Sequence, residues 1–391
     1  MSNLLEKASI ITTPTAYNDG KLLSVKGGTP ADFDFTRGST ATRINSSGLI
    51  ESVSSGLPRI DYTDGIGSVL LEPQSTNLYL NSEPTTNEGV SGGVSYESFN
   101  WNIGFSNCVR YGDNSSIRYR YGGSVLASTE YTLSAFVIMD DLSEPIIGGQ
   151  VSTADFTFVI GGGIYANANA NIYIGNNIWK VSVTGTTSGS PSVNNTGILK
   201  YTSQSSKGFR VVGFQLEANK SFATSYIPTN GSTATRLAET LNNAGSSDLI
   251  NSTEGVLYAE IAALSDDLTF REISISSGHS SNSIAIKYRN TSNVINFTIV
   301  SGGSSVFNTS ETVPNIKDFN KVALKYKSGD IAIWINGVEM TTSASLFTNT
   351  SLSEISFDNG SGYNDFYGNV KCVAVFKEAL TDAELTQLTT I

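Results

Sequence analysis

The sequence predicts an all-β protein in which an irregular N-terminal arm precedes two β-sandwich domains and one short C-terminal helix. Three observations support this fold class. Segments in which polar and apolar residues alternate recur from about residue 96 onward, which is typical of half-buried strands. Turn-forming Gly, Asn and Ser separate these segments, and the chain contains 37 glycines. Only the last residues carry a strong helix-start signal. With 391 residues, two or three domains and a sizeable core are expected.

Residues 1–95 contain no long periodic segment. We expect short strands at Asp32–Thr36 and Ser68–Leu71, separated by turn signals such as Asp64-Gly65. This pattern is typical of an extended arm or docking segment. The segment is therefore predicted to attach the protein to a larger assembly.

Residues 96–238 show regular alternation in EYTLSAFVIM, IWKVSVTGT and GFRVVGFQLEA. In the second of these phrases, Lys180 and Ser182 share one face of the strand, opposite Val181. Several short strands with Gly, Asn and Ser turns at this spacing predict a sandwich of the jelly-roll type.

Residues 250–391 show the clearest pattern. In VALKYKSGDIAIWINGVEM, apolar residues alternate with polar ones until Asn336-Gly337 provides a two-residue type I′ turn. After the strand NVKCVAVF, Thr381 and Glu384 form a predicted capping box, which starts the closing helix. The sequence therefore predicts a β-meander that ends in one short helix.

Charge and composition exclude several classes of partner. The chain has 24 Lys plus Arg and 35 Asp plus Glu, which gives a net charge of −11 and a pI near 4.7. Because nucleic acids and anionic membranes are bound largely through cationic side chains, neither is an expected partner.

Targeting and redox signals are few. Glu6 and Lys7 stand where a signal peptide needs its apolar segment, and no apolar run approaches the roughly 18 residues of a membrane span. We expect a protein made in the cytoplasm without a signal peptide or membrane insertion. Cys108 and Cys372 are the only cysteines, so no disulfide framework is predicted.

Three parts of the sequence resemble known families. LYAEI at 257–261, IAIWINGVEM and VAVFKEALTDAELTQL together resemble the laminin-G-like, concanavalin A-like sandwich domains. The middle segment, which ends in GFQLEANKSFATSYIPTNGSTATRLAE, resembles carbohydrate-binding-module-like jelly rolls. DFDFTRGSTATRINSSGLIE and PRIDYTDGIGSVLLEPQSTNL are similar to the start of a family of bacteriophage virion proteins found in tail fibres and appendages. The last resemblance implies a structural protein exposed on the surface of the virion.

The hexapeptide GSTATR occurs at residues 38–43 and again at 231–236. Because the flanking residues differ, we interpret it as a local structural clip and not as a duplicated domain. Its hydroxyls can bind nearby backbone groups, and Arg43 and Arg236 offer a planar fork that can bridge strands or bind a carboxylate. The two arginines would then make equivalent contacts at two junctions. A pair of ligand-binding loops is the alternative.

No catalytic residue is predicted. His279 lies in the polar stretch SSGHSSNS, and the chain lacks the Glu-x-Asp that begins the paired-carboxylate motif of one glycosidase family on the concanavalin A-like fold. One histidine and two distant cysteines cannot form a zinc site. We predict no cofactor, with calcium at Asp358 and Asp365 in DNGSGYND left open, because the same composition also makes an ordinary turn.

Sugar binding requires an exposed aromatic ring beside amides or carboxylates. The candidate residues are Trp101 in SFNWNIGF and Tyr119 and Tyr121 in IRYRYGG. We favour the interpretation that these rings, Trp101 included, fill the core, with sugar binding as the alternative.

Together, these features suggest a non-catalytic phage virion protein, a fibre, appendage or head decoration that adheres to bacterial surface glycans. A purely architectural capsid, neck or tail subunit, which contacts only other virion proteins, is the main alternative. A capsule depolymerase is a third, disfavoured by the missing paired carboxylates. Virion proteins are commonly symmetric oligomers, so we expect a homo-oligomer, with a trimer as one form.

Overall fold

The structure is a computed structural model that describes residues 2–14, 17–18, 20–84, 90–91, 94–112, 117–119, 125–166, 170–192 and 195–391. Strands dominate it, with one short helix near each end of the chain, which confirms the predicted all-β fold class. Within this part of the chain, neither helix has the length and apolar character needed to cross a bilayer.

The N-terminal segment forms short elements: α1 (Ser2–Lys7), β1 (Ala8–Thr12), β2 (Tyr17–Asn18), β3 (Lys21–Leu22), a 3₁₀ turn (Thr29–Ala31), β4 (Phe33–Thr36), β5 (Ala41–Ile44), β6 (Ile50–Val53), β7 (Ile60–Asp61), β8 (Ser68–Leu71) and β9 (Ser75–Asn77). The middle segment forms β10 (Val90–Ser91), β11 (Val94–Ser98), β12 (Asn107–Tyr111), β13 (Ile117–Tyr119), β14 (Glu130–Met139), β15 (Thr157–Ile160), β16 (Gly163–Tyr165), β17 (Ala170–Gly175), β18 (Ile178–Thr186), β19 (Gly197–Lys200) and β20 (Phe209–Ala218).

The rest of the chain forms β21 (Ala234–Arg236), β22 (Thr240–Asn242), β23 (Glu254–Ala263), β24 (Arg271–Ser276), β25 (Ser283–Tyr288), β26 (Val294–Ser301), β27 (Ser304–Thr312), β28 (Asn320–Lys327), β29 (Ile331–Ile335), β30 (Val338–Ser343), β31 (Glu354–Ser356), β32 (Gly368–Phe376) and α2 (Asp382–Thr389).

The middle segment is a two-sheet sandwich. One sheet has the order β11-β12-β20-β14-β18-β17 and the other β10-β13-β19-β15-β16. Alternation along β14 places Val137 in the core between the sheets, whereas Phe136 and Ile138 point to the outer face of the six-stranded sheet. This outer face is also covered, by a second apolar cluster that includes Trp101 and Tyr226.

The C-terminal segment is a second sandwich. Its larger sheet runs β30-β29-β28-β23-β32-β8-β7, with β1 also paired to β32, and its smaller sheet runs β27-β26-β25-β24-β31. Val322, Leu324 and Ile333 fill the core between the sheets, as the alternation predicts. Both helices lie over the outer face of the larger sheet, where Leu4 and Leu385 join one apolar cluster.

The prediction that residues 1–95 form a separate arm is wrong for the strands of that segment. Strand β1 pairs with β32 from Ala8↔Phe376 to Thr12↔Val373, and β8 pairs with it at Leu71↔Gly368. Ile10, Phe33 and Leu71 are buried in the core of the C-terminal sandwich. We expected an arm because the strands of this segment are too short to show a periodic pattern of polar and apolar residues. They nevertheless pair with strands from the far end of the chain.

Two local predictions in the C-terminal segment are confirmed. Asn336 and Gly337 both have positive φ, 50° and 85°, in the β29–β30 hairpin. The Thr381 side chain accepts a hydrogen bond from the Glu384 N–H, and the Glu384 carboxylate accepts one from the Thr381 N–H at 2.9 Å. The capping box therefore begins α2 where the sequence predicts it.

Candidate functional site

The two GSTATR copies lie next to each other. The first copy, residues 38–43, continues into β5, and the second copy, residues 231–236, ends at the last residue of β21. The Leu237 N–H donates to Ser39 Oγ at 2.9 Å, and a Cβ on Gly38 would lie 3.0 Å from Leu237 Cδ1. The repeats therefore meet where the N-terminal segment contacts the link between the sandwiches.

The predicted equivalence of Arg43 and Arg236 is wrong. Arg43 pairs across its own hairpin with Glu51, Nη2 to Oε1 at 2.5 Å, and its side chain is 18% exposed. Arg236 is 1% exposed and binds Glu72 Oε2 at 2.8 Å and the Pro73 carbonyl at 2.5 Å. The same hexapeptide thus places one arginine near solvent and the other in the interior, because different strands pair with β5 and β21.

Arg236 belongs to a buried ionic cluster that the sequence analysis did not identify. Arg37 Nη1 lies 2.6 Å from Glu239 Oε1, Arg59 Nε donates to the same oxygen at 2.8 Å, and Arg59 Nη2 lies 2.9 Å from Glu72 Oε2. The side chains in these pairs are at most 4% exposed. Three arginines and two glutamates give the cluster a formal charge of 3 − 2 = +1.

Hydrogen bonds to the backbone add to the cluster. Arg37 Nη2 donates to the Ser54 carbonyl at 2.7 Å, and Arg59 Nη1 donates to the Thr42 carbonyl at 2.9 Å. Burial alone would raise the pKa of Glu72, but Arg236 and Arg59 outweigh it and hold the pKa at about 2. Buried charges are tolerated only with such partners, so the cluster fixes how the segments around it meet.

Beside this cluster a cleft of about 830 Å³ opens between the two sandwiches. One wall is the outer face of the six-stranded sheet, with Phe136, Lys180 and Ser182. The opposite wall is the end of the C-terminal sandwich, at Ala262–Ser265 and Asn315–Phe319. The β5–β6 hairpin and residues 61–72 of the N-terminal segment close the remaining side.

Aromatic rings reach the cleft from both walls. Phe222 follows β20 of the middle sandwich, and Phe319 precedes β28 of the C-terminal sandwich; both are partly exposed. Lys371 Nζ lies 3.6 Å from the Phe319 ring centroid and 2.8 Å from Asp64 Oδ2, so this ring is held in place at the cleft.

The sequence-predicted sugar-binding residues do not form this site. Trp101 is 1% exposed, and its indole packs at 5.7 Å from Phe99 and 6.4 Å from Phe105. Trp101 therefore fills the core, as the favoured interpretation has it, and is not an exposed sugar-binding ring, because the outer face of the sheet needs a large apolar cover. The side chain of Tyr119 and the whole of Tyr121 lie outside the described residues.

The predicted calcium loop lies away from the cleft. Asp358 is 4% exposed; its Oδ1 accepts the Gly360 N–H at 2.6 Å and its Oδ2 accepts from Asn242 Nδ2 at 3.0 Å. Asp365 accepts from the Tyr367 hydroxyl at 3.1 Å. Burial raises the pKa of both carboxyls. Among the described residues, no group of three or more His, Cys, Asp or Glu side chains is arranged to bind a metal ion.

Comparison with known sequences identifies the second sandwich. Residues 258–386 match the family described as the concanavalin A-like lectin/glucanases superfamily. The C-terminal part of the chain is a laminin-G-like, concanavalin A-like domain, as the resemblance implied. Comparison with curated protein sequences gives no match.

Solved structures share parts of the fold. The chain is similar to the CBM40 of the Ruminococcus gnavus IT-sialidase bound to α2,3 sialyllactose, with 18% identity over 36% of this chain and 83% of that chain and a TM-score of 0.31. It is also similar to domain 4 of AbnA, a GH43 extracellular arabinanase from Geobacillus stearothermophilus in complex with arabinotriose. The identity is 14% over 44% of this chain and 84% of that chain, and the TM-score is 0.33. A SAP-like pentraxin from Limulus polyphemus matches with 14% identity over 34% of this chain and 68% of that chain, with a TM-score of 0.28. At these scores the likenesses carry no functional argument.

Proposed function

We propose that this chain is a non-catalytic glycan-binding protein whose ligand lies in the cleft between the two sandwiches. The observation that supports this most is the combination of volume and lining. A cleft of about 830 Å³ is within the range of small-molecule sites, roughly 300–1,000 Å³. Its walls present partly exposed Phe222 and Phe319 together with Thr42, Ser182 and Lys180.

This lining matches the chemistry of a sugar. The apolar faces of a pyranose ring stack on aromatic rings, and its hydroxyls bind amines, hydroxyls and carboxylates. Because Phe222 and Phe319 come from different sandwiches, a ligand between them contacts both units of the protein. An oligosaccharide, with several ring faces, suits such a cleft.

Two of the four carboxylates that line the cleft, Glu72 and Asp61, lie in its interior and support binding without hydrolysis; Asp64 and Asp318 are exposed at the rim, where Asp64 pairs with Lys371. Glycoside hydrolysis requires a carboxyl that is protonated near neutral pH to donate to the leaving group. Arg236 and Arg59 hold the pKa of Glu72 at about 2 against the opposing effect of burial, so it stays ionised. Asp61 accepts backbone N–H groups of Ile44 and Thr63 at 2.8 and 2.9 Å. Both carboxylates are thus engaged in holding the fold.

The biological setting remains part of this proposal. The N-terminal phrases DFDFTRGSTATRINSSGLIE and PRIDYTDGIGSVLLEPQSTNL support a role as a component exposed on a phage particle, assembled with other virion proteins as a homo-oligomer. In that setting the cleft would face glycans of the bacterial surface. An architectural subunit that contacts only virion proteins is the alternative outcome of the test.

An array of bacterial surface glycans tests the proposal. The full chain is applied with calcium and with a chelator, and every hit is followed for released product by mass spectrometry. Saturable binding without product is the expected result. Release of shortened glycans contradicts the non-catalytic role, and a folded protein that binds no glycan favours the architectural subunit.

A further inference from the structure

The cleft contains cationic groups that no carboxylate of the described chain pairs with. Lys180 projects from β18 into the cleft, and within the described part of the chain its ammonium donates to a single acceptor, the Thr224 carbonyl, at 2.7 Å. An ammonium has three N–H donors, so two remain for a ligand. Lys317 stands exposed at the rim on the opposite wall, where the described residues also provide no ion pair for its side chain.

The carboxylates near Lys180 are occupied by other donors. Glu72 binds Arg59 and Arg236, and it also accepts the Ser225 hydroxyl at 2.6 Å. Glu217 accepts from Ser75 Oγ at 2.5 Å and from the Thr224 N–H at 3.1 Å. These acids favour the charged form of Lys180 from a distance, but none lies within 4.0 Å of its ammonium.

A positive charge on Lys180 is therefore unfavourable in this environment. Burial lowers its pKa, and Arg236 adds to the effect, whereas Glu72, Glu217 and Asp61 only oppose it. A negative group within hydrogen-bond distance would relieve this cost. The interior of the cleft therefore offers cationic donors, while Glu72, Glu217 and Asp61 already hold donors of their own; at the rim, Asp64 pairs with Lys371 and Asp318 lies exposed beside Lys317.

We propose that the cleft selects glycans that carry a carboxylate, with Lys180 binding that carboxylate inside the cleft and Lys317 adding to its attraction at the rim. The inference rests on the proposed function and specifies its ligand class. The carboxylate can belong to a uronic acid or to a sialic acid, since both present the same planar acceptor to an ammonium.

The test compares each acidic probe with a neutral partner of the same size on the unmodified full chain. Trigalacturonic acid is titrated against its methyl ester, and sialyllactose against the methyl ester of its sialic acid carboxylate, by isothermal titration calorimetry. Because charge-assisted hydrogen bonds are roughly twice as strong as neutral ones, at least one acid should bind about tenfold more tightly than its neutral partner. This preference should weaken with added salt.

Variants then locate the effect. Lys180→Met should bring the ratio of acid affinity to neutral affinity close to one, and Lys317→Met should reduce this ratio less, because exposed charges are better screened. Lys377→Met, at an exposed lysine outside the cleft lining, is the control and should change neither affinity.

Three outcomes overturn the inference, and they separate it from the proposed function. Equal binding of acid and neutral partner by the unmodified chain defeats the inference but leaves glycan binding intact. An equal loss of both affinities in Lys180→Met assigns that lysine a structural role, balancing Glu217 and Asp61. Failure of every acidic and neutral probe to bind the folded protein defeats both.

Discussion

Arg37 Nη1 lies 2.6 Å from Glu239 Oε1 in the interior of the protein, although 202 residues separate the two in the chain. Arg37 directly precedes the first GSTATR copy, and Glu239 follows the second by three residues. Through this pair the N-terminal segment is joined to the link between the sandwiches. The walls of the cleft are therefore positioned by a buried ionic cluster as well as by strand pairing.

Replacing Glu239 by Gln should destabilise the protein strongly. The change leaves Arg37 without its carboxylate and weakens the contacts of Arg59, which also binds Glu239. Removing one partner of a buried ion pair typically costs about 3–5 kcal/mol in the free energy of unfolding. Urea denaturation of the full chain measures this loss.

The matched control for that variant is Glu51→Gln. Glu51 pairs with Arg43 near the surface, where an ion pair contributes roughly 0–1 kcal/mol. If both variants lose less than about 1 kcal/mol, the buried cluster does not hold the segments together as described.

Acid should weaken the protein through Glu72. Its pKa is about 2 in the folded protein, against a usual value of 4.5. A lowered folded pKa means that the ionised group stabilises the fold fully above pH 4.5, and that this contribution is lost as the pH falls from 4.5 towards 2. Urea midpoints across this range should therefore drop in the wild type.

Glu72→Gln isolates that contribution. Asp358 and Asp365 have raised pKa values through burial and act in the opposite direction, so the difference between wild type and variant is the useful quantity. The difference should be largest above pH 5 and shrink towards pH 2. A difference that is independent of pH would contradict the assigned pKa.

Trp101→Ala should cost stability without a specific effect on ligand binding. The indole is buried between Phe99 and Phe105, and truncating a buried aromatic to Ala costs about 3–5 kcal/mol. Thermal unfolding measures this effect. Trp101→Phe, which keeps most of the packing, serves as the control. A Phe variant of normal stability that has lost glycan affinity would restore Trp101 as a binding residue.

The sequence predicts no cofactor and leaves calcium at the 358–365 loop open, and thermal unfolding distinguishes the two. Burial and the charge of Asp365 raise the pKa of Asp358, a cost that a bound divalent cation would relieve. A loop that binds calcium would raise the melting temperature when calcium is added, and the double variant Asp358→Asn, Asp365→Asn would abolish the rise. Asp248→Asn, at an exposed position, should keep it. No rise in the wild type would remove the calcium site.

Local signals made much of the fold predictable. The Asn336-Gly337 turn and the Thr381 capping box depend on residues within four positions of each other, so one short window contains the whole signal. Alternation likewise placed Lys180 and Ser182 on one face of β18, the face that lines the cleft. The pattern could not show what that face would meet.

Distant pairing made the remainder unpredictable. Strands β1 and β8 are four or five residues long and pair with β32, which lies more than 360 residues from β1 and about 300 residues from β8, so no window of sequence contains both partners. Arginine and glutamate are normally exposed, so residue type gave no reason to expect burial of four residues of the ionic cluster: Arg37, Arg59, Glu72 and Glu239. Their one signal was position, since Arg37 and Glu239 flank the repeated hexapeptides.

The most direct test of glycan binding in the cleft is calorimetric titration of the best array hit into wild type and into the Phe222→Ala, Phe319→Ala double variant. Losing both stacking rings should weaken binding roughly tenfold or more. Tyr363→Ala, which removes an aromatic ring that is 70% exposed outside the cleft lining, should bind as wild type does. Unchanged affinity in the folded double variant, or an equal loss in Tyr363→Ala, would contradict the cleft as the binding site.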